Sequence, residues 1–170
     1  MREIKGFING EFVNSAEFGD IYSPATGQMV SQYHVTSTQQ VDEAVNAAKE
    51  ALKGPWGDFS LQQRVDILYK IADGIDARFD EFLKAECLDT GKPYSLARHI
   101  DIPRGAANFK VFADTIKNAA DEAFHMPTPD GTGALNYTAR KPKGVIGVIG
   151  PWNLPPIVND VENCTSSCLW

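Results

Sequence analysis

The sequence lacks the features that define several large functional classes. No apolar run approaches the roughly 18–20 residues of a membrane span. The start, Met1-Arg-Glu-Ile-Lys-Gly6, has no apolar core of a secretory leader. Cysteine is scarce: Cys87, Cys164 and Cys168 make an odd number without paired spacing, which fits a reducing cytoplasm better than secretion. Cys164 and Cys168 lie four apart, but no second pair completes a zinc set, so no metal is expected. Positive charge is also short. With 16 Lys and Arg against 22 Asp and Glu, the net charge of −6 speaks against a general nucleic-acid binder. There is no Gly-x-Gly-x-x-Gly opening a helix, no phosphate-binding P-loop and no internal repeat.

What remains is 170 residues of ordinary globular composition, 43% hydrophobic and 22% charged, enough for one modest core. Phe7-Ile-Asn-Gly-Glu-Phe12 reads as a hairpin, because both Asn9 and Gly10 tolerate positive φ. Ser23-Pro-Ala-Thr-Gly27 is a turn, followed by a strand over Met29 to Val35. From Thr38 the period becomes helical, with Val41, Ala44, Val45, Ala48 and Leu52 recurring at three and four residues, until Gly54-Pro-Trp-Gly57 ends it.

Ser60-Leu-Gln-Gln63 has the form of a capping box. The helix it opens carries Val65, Leu68, Ile71, Ala72 and Ile75 on one side. A second stretch from about Asp76 to Asp89 directs Phe79, Phe82 and Leu83 inward and stops at Thr90-Gly-Lys-Pro93. Glu81, Glu86 and Asp89 read as its solvated face, and Cys87 as a packed small apolar residue. A third pattern, Ser95 to about Ala120, is interrupted by Pro103. Asp101 is the expected cap of a fresh start there, with Phe109, Phe112, Ala113 and Ile116 as the apolar face. Met126 to Gly133 reads as loop, and Ala134 to Arg140 alternates as a half-exposed strand. His34, His99 and His125 are isolated, which suits surface or structural positions.

The stretch Gly144-Val-Ile-Gly-Val-Ile-Gly-Pro-Trp-Asn153 organises the rest. Val145, Ile146, Val148 and Ile149 are apolar without alternation, as in a parallel strand covered on both faces. Pro151 cannot donate to a ladder and ends it. Asn153 then stands past the carboxyl end, where open α/β sheets bind ligands. A side-chain amide there can donate to a developing oxyanion. The residues alone favour the plainer reading, a core strand followed by a turn.

Phe7-Ile-Asn-Gly-Glu-Phe12, Ser23-Pro-Ala-Thr-Gly27, Asp89-Thr-Gly-Lys92 and Gly147-Val-Ile-Gly-Pro-Trp-Asn-Leu-Pro155 resemble, in order and spacing, the N-terminal third of the NAD(P)-dependent aldehyde dehydrogenase superfamily. Ala51-Leu-Lys-Gly-Pro-Trp-Gly57, Glu86-Cys-Leu-Asp-Thr-Gly-Lys-Pro93, Asp101-Ile-Pro-Arg-Gly-Ala-Ala-Asn-Phe109 and Met126-Pro-Thr-Pro-Asp-Gly131 are most similar to its branch acting on 2-hydroxymuconic semialdehyde. The 2-aminomuconic branch is close. The resemblance implies a truncated α/β architecture: β-hairpins, long helices and the first strand of a variant Rossmann sheet at Val145 to Ile149. Residues 1–155 become an incomplete cofactor-binding domain, with part of an oligomerisation arm at about 134–143 that includes Tyr137. It implies NAD, with NADP an alternative, a small aldehyde substrate, and a cytoplasmic dimer or tetramer without nucleic-acid or membrane partners. Asn153 matches the asparagine that steadies the oxyanion of a thiohemiacetal. Ile149, Gly150, Pro151 and Trp152 match the strand end lining the cofactor, although Gly150 departs from the larger residue expected there.

After Pro155 the resemblance stops. Read from the second base of each codon, however, Pro156 to Trp170 permits the family's continuation of Leu-Leu-Leu-Met-Thr-Trp-Lys and beyond. The expectation is a frameshift near codons 155–156, one extra nucleotide or two lost, which leaves 156–170 as out-of-frame peptide and Cys164 and Cys168 without chemical meaning. The region carrying the family's nucleophilic cysteine and general-base glutamate is then missing. The chain alone is expected to be inactive and poorly soluble, since an uncovered apolar strand is an aggregation hazard. The rival expectation is a non-catalytic fragment that binds or regulates full-length subunits.

Overall fold

In the computed structural model, which describes residues 2–150, the chain opens with short strands β1 (Arg2–Ile4), β2 (Gly6–Ile8) and β3 (Glu11–Val13). β2 and β3 form the expected hairpin, with Phe7 opposite Phe12. Asn9 at φ 51° and Gly10 at φ 85° supply the two left-handed positions that a tight hairpin turn needs. β4 (Phe18–Tyr22) and β5 (Met29–His34) flank the Ser23–Gly27 turn, and a three-stranded sheet runs in the order β1-β5-β4. β1 is parallel to β5, and β4 antiparallel to it.

Helix α1 (Thr38–Ala51) begins at a second capping box: Ser37 accepts from the Gln40 N–H, and the Gln40 side chain accepts from the Ser37 N–H. None of its residues is fully buried, and Val41 on the expected apolar stripe is exposed. A short helix, α2 (Pro55–Asp58), fills the place read as a simple stop. It is fastened by Arg64, which donates to the carbonyls of Trp56 and Phe59 and lies over the Trp56 ring. The Ser60–Gln63 box opens α3 (Leu61–Ala77) as expected.

The core lies between α3 and α6 (Ile102–Lys117). Val65, Leu68 and Ala72 meet Ala106, Phe109 and Ala113, with Ile75, Phe112 and Ile116 partly buried around them. Alanines at three of six buried positions let the two helix backbones approach closely, and the larger side chains fill the flanks. The inward reading of Ile71 is corrected: it is exposed, because it sits at the edge of the stripe and no element covers it there. A second cluster joins Leu83 and Cys87 of α4 (Phe79–Thr90) to Ala97 and Ile102. Phe82, also read as inward, lies on the exposed side of α4 with Arg78 over its ring.

The third helical stretch does not restart at Asp101. α5 (Tyr94–Leu96) passes through a π-helical turn at Ala97–Asp101 directly into α6. Pro103 removes the donor that an α-helix would supply to the carbonyl four residues back, and the widened turn accommodates that loss. Asp101 has helical dihedrals and caps nothing; its side chain is used elsewhere. β6 (Ala123–Met126) and β7 (Ala134–Tyr137) close the described fold as an isolated two-stranded ribbon. Met126, read as loop, ends β6. β7 stops at Tyr137 rather than Arg140; the ladder ends at the Ala123–Tyr137 pair, and beyond it a single bond from the Thr138 N–H to the Glu122 carbonyl continues the contact.

Candidate functional site

Two places in the fold carry the residues singled out by the sequence, and the structure adds a third. The first is the segment from Lys141 to Gly150. Gly144 turns it with φ 91°, and a Cβ there would rest against Leu52 of the α1 end. Val145 to Ile149 was expected to be a strand. The structure corrects this: these residues form no ladder, their side chains are exposed, and Ile149 is 92% accessible. A strand exists only through hydrogen bonds to neighbours, and no described strand lies beside this one. Of the candidate cofactor-lining residues, Ile149 and Gly150 therefore sit on an open apolar strip. Pro151, Trp152 and the candidate catalytic Asn153 lie outside the described residues.

The second place is the β6–β7 ribbon. Alternation along β7 is present, but its sense is the reverse of a half-buried strand. Leu135 and Tyr137 point to solvent while Ala134 and Asn136 are partly covered. Phe124 and Met126 of β6 are exposed as well. Both faces of the ribbon thus carry uncovered apolar side chains, an arrangement found where another protein surface completes the packing.

The third place was missed by sequence reasoning. Glu86, read as solvated, is only 4% exposed, and Asp101 only 3%. Both carboxylates face Lys92, whose Nζ is 2.8 Å from Glu86 Oε1 and 3.0 Å from Asp101 Oδ2. Burial opposes the ammonium charge, but the hydrogen bonds to Glu86 and Asp101 together outweigh it and raise the Lys92 pKa. The turn that delivers Lys92 depends on Gly91, left-handed at φ 72°, where the Cβ of any other residue would come within 2.9 Å of Pro24 Cγ. The Asp89–Lys92 and Ser23–Gly27 motifs are therefore in contact. The available signal was a lysine directly after a helix-ending glycine, within reach of two acids on separate helical segments.

Next to this cluster Cys87 is a packed thiol. Burial first, then the Glu86 and Asp101 charges, push its pKa up, which is the opposite of an activated nucleophile. Among the described residues no group of three or more His, Cys, Asp or Glu side chains could hold a metal ion, and no helix is long and apolar enough to cross a membrane.

The mixed α/β unit with its apolar, glycine-punctuated strip has close structural counterparts. Solved aldehyde dehydrogenases share the fold. The NAD+ complex of the Bacillus cereus enzyme superposes with a TM-score of 0.90 at 33% identity, covering 99% of this chain and 34% of that one. The family model described as the aldehyde dehydrogenase family matches residues 12–161. The chain belongs to the aldehyde dehydrogenase family. Similar relatives include 2-hydroxymuconic semialdehyde dehydrogenase of Pseudomonas sp. (strain CF600), 66% identical over 158 residues, 91% of this chain and 32% of the relative. The 2-aminomuconic 6-semialdehyde dehydrogenase of Pseudomonas sp. is 46% identical over 155 residues, again 91% of this chain and 32% of the relative. The chain thus spans about a third of the length of the curated relatives it matches.

Proposed function

We propose that this chain is the N-terminal part of a cytoplasmic NAD(P)-dependent aldehyde dehydrogenase that oxidises a muconic semialdehyde, the 2-hydroxy compound by preference, to its carboxylate. The observation that carries the reading is the 66% identity to the strain CF600 relative, well above the 46% to the 2-aminomuconic relative. The chemistry is oxidation of a carbonyl through a covalent thiohemiacetal, whose negative oxygen needs donors. Asn153 would supply one through its side-chain N–H, past the end of the Val145–Ile149 segment. Ile149 and Gly150, with Pro151 and Trp152, would form an apolar wall for the cofactor. The open strip at Ile149 and Gly150 fits such a wall, whereas the described residues hold no complete cofactor site. The bound NAD(P) supplies the hydride acceptor. The rest of the machinery belongs to the two thirds of the relatives that this chain does not span.

Within this reading, residues 1–155 are an incomplete cofactor-binding domain and about 134–143 part of an arm joining subunits of a homo-oligomer. The reversed β7, with Leu135 and Tyr137 outward, supports the arm. Residues 156–170 are read as an out-of-frame tail. Sequencing the gene from codon 150 onward tests that part: a one-base correction should restore the family's continuation. The restored enzyme should then reduce NAD with 2-hydroxymuconic semialdehyde. Failure to oxidise either muconic semialdehyde would overturn the substrate assignment.

A second reading is favoured by the exposed apolar strip and ribbon: a non-catalytic fragment that binds full-length subunits. Copurification of the 170-residue chain with the intact relative, at defined stoichiometry, would support it.

A further inference from the structure

His34, at the end of β5, is almost fully buried and joins three parts of the N-terminal unit. Its Nδ1 lies 2.7 Å from the backbone nitrogen of Ser15 and 3.2 Å from the backbone oxygen of the same residue. These two bonds exclude each other, because Nδ1 accepts in the first and donates in the second. The shorter one makes Nδ1 the acceptor, which places the proton of the neutral ring on Nε2. Nε2 is buried and has no hydrogen-bond partner. The nearest counter-charge is Glu3 on β1, with Oε2 at 3.9 Å, beyond hydrogen-bond reach. Buried polar atoms are rarely left unpaired, so this one asks for an explanation.

The surroundings show what a second proton would do. The charged groups facing the ring are Glu3 and, 3.8 Å from the same carboxylate oxygen, Lys5. β4 contributes only the Phe18 ring, 4.5 Å away between centroids. The linker between β3 and β4 contributes Ser15, and Glu17, whose carbonyl accepts from the Val35 N–H. The same linker is tied to α1: Gln40 Nε2 donates to the Asn14 carbonyl, while Gln40 Oε1 accepts from the Ser37 N–H in the capping box.

We propose that His34 is a two-position switch that exchanges the Ser15 N–H for the Ser15 carbonyl and Glu3 when the imidazole is protonated. In the neutral position it holds the Ser15 amide and leaves Glu3 to Lys5. Protonation puts a hydrogen on Nδ1, which repels the Ser15 N–H and turns to the carbonyl already 3.2 Å away. The charged Nε2–H then draws in Glu3 and fastens β1 to β5. The step moves one proton from solvent to Nδ1 and breaks no covalent bond. The 14–17 linker feels the change at Ser15 and passes it through Asn14 to the α1 cap.

An NMR titration of the 170-residue chain tests the switch. The Ser15 amide resonance should titrate with the same midpoint as the His34 ring, and its hydrogen exchange should speed up on the acid side. Glu3→Gln, an exposed and conservative change, should blunt the acid-side response of the Ser15 amide, because the Nε2–H then loses the carboxylate it would draw in. A Ser15 amide that ignores the titration, or one that responds identically in Glu3→Gln, would overturn the proposal.

Discussion

Lys92 reaches Asp101 across the π-helical turn, Nζ to Oδ2 at 3.0 Å, and the same ammonium holds Glu86 of α4 at 2.8 Å. One cation therefore joins two nearly buried carboxylates on different helical segments. Lys92→Met removes that cation and leaves two like charges facing each other without compensation. Breaking a buried pair from one side costs about 3–5 kcal/mol. Urea denaturation of the variant should show a loss of that size, with its midpoint lowered in proportion. A loss under 1 kcal/mol would mean that the cluster is hydrated rather than buried.

The same cluster sets an alkaline limit. Lys92 has a raised pKa in the folded chain, and its ordinary value is 10.5. A group whose folded pKa is raised contributes stability that is complete below the unfolded value and is lost as pH rises through the folded one. Stability should therefore decline more steeply above pH 10.5 in the wild-type chain than in Lys92→Met. The check is thermal melting at a series of alkaline pH values; parallel curves for the two proteins would contradict the linkage.

The core and the apolar strip should respond in opposite ways to loss of side chain. Leu68 is buried between α3 and α6, so Leu68→Ala should cost about 2–5 kcal/mol. Ile149 touches little, so Ile149→Ser should leave the melting temperature unchanged and reduce light scattering at high protein concentration. Scattering unaltered by Ile149→Ser, and also by Leu135→Ser on β7, would show that these uncovered residues do not drive association.

Much of this unit is legible in the sequence wherever one local rule decides. Asn9-Gly10 needs only its own backbone to make a turn. Ser60 and Gln63 satisfy each other within one helical turn, and the α3–α6 face follows from helical spacing. Legibility fails where the deciding partner is far away or absent. Glu86 looks solvated until Lys92 and Asp101 come to it. Asp101 looks like a cap until the helix is seen to pass through it as a widened turn. Val145 to Ile149 has the composition of a strand, but pairing is a property of neighbours, and β7 shows its apolar side to solvent for the same reason. The candidate site lies at that boundary: Ile149 and Gly150 are placed, and Asn153 rests on motif alone.

Asn153 is therefore the residue to test in a full-length enzyme carrying the proposed frame correction. If its amide donates to the oxyanion, it acts where charge develops and not on the resting aldehyde. Asn153→Ala should then lower kcat by about 10²–10³-fold, the usual effect of removing one such donor, while KM changes little. Asn153→Asp keeps the size but turns an acceptor toward the negative oxygen, so it should be at least as impaired. The NAD affinity of both variants, measured by fluorescence quenching, should stay near that of the parent if, as proposed, Ile149 to Trp152 form the cofactor wall. Loss of cofactor affinity with kcat preserved would reassign Asn153 from the oxyanion to the cofactor.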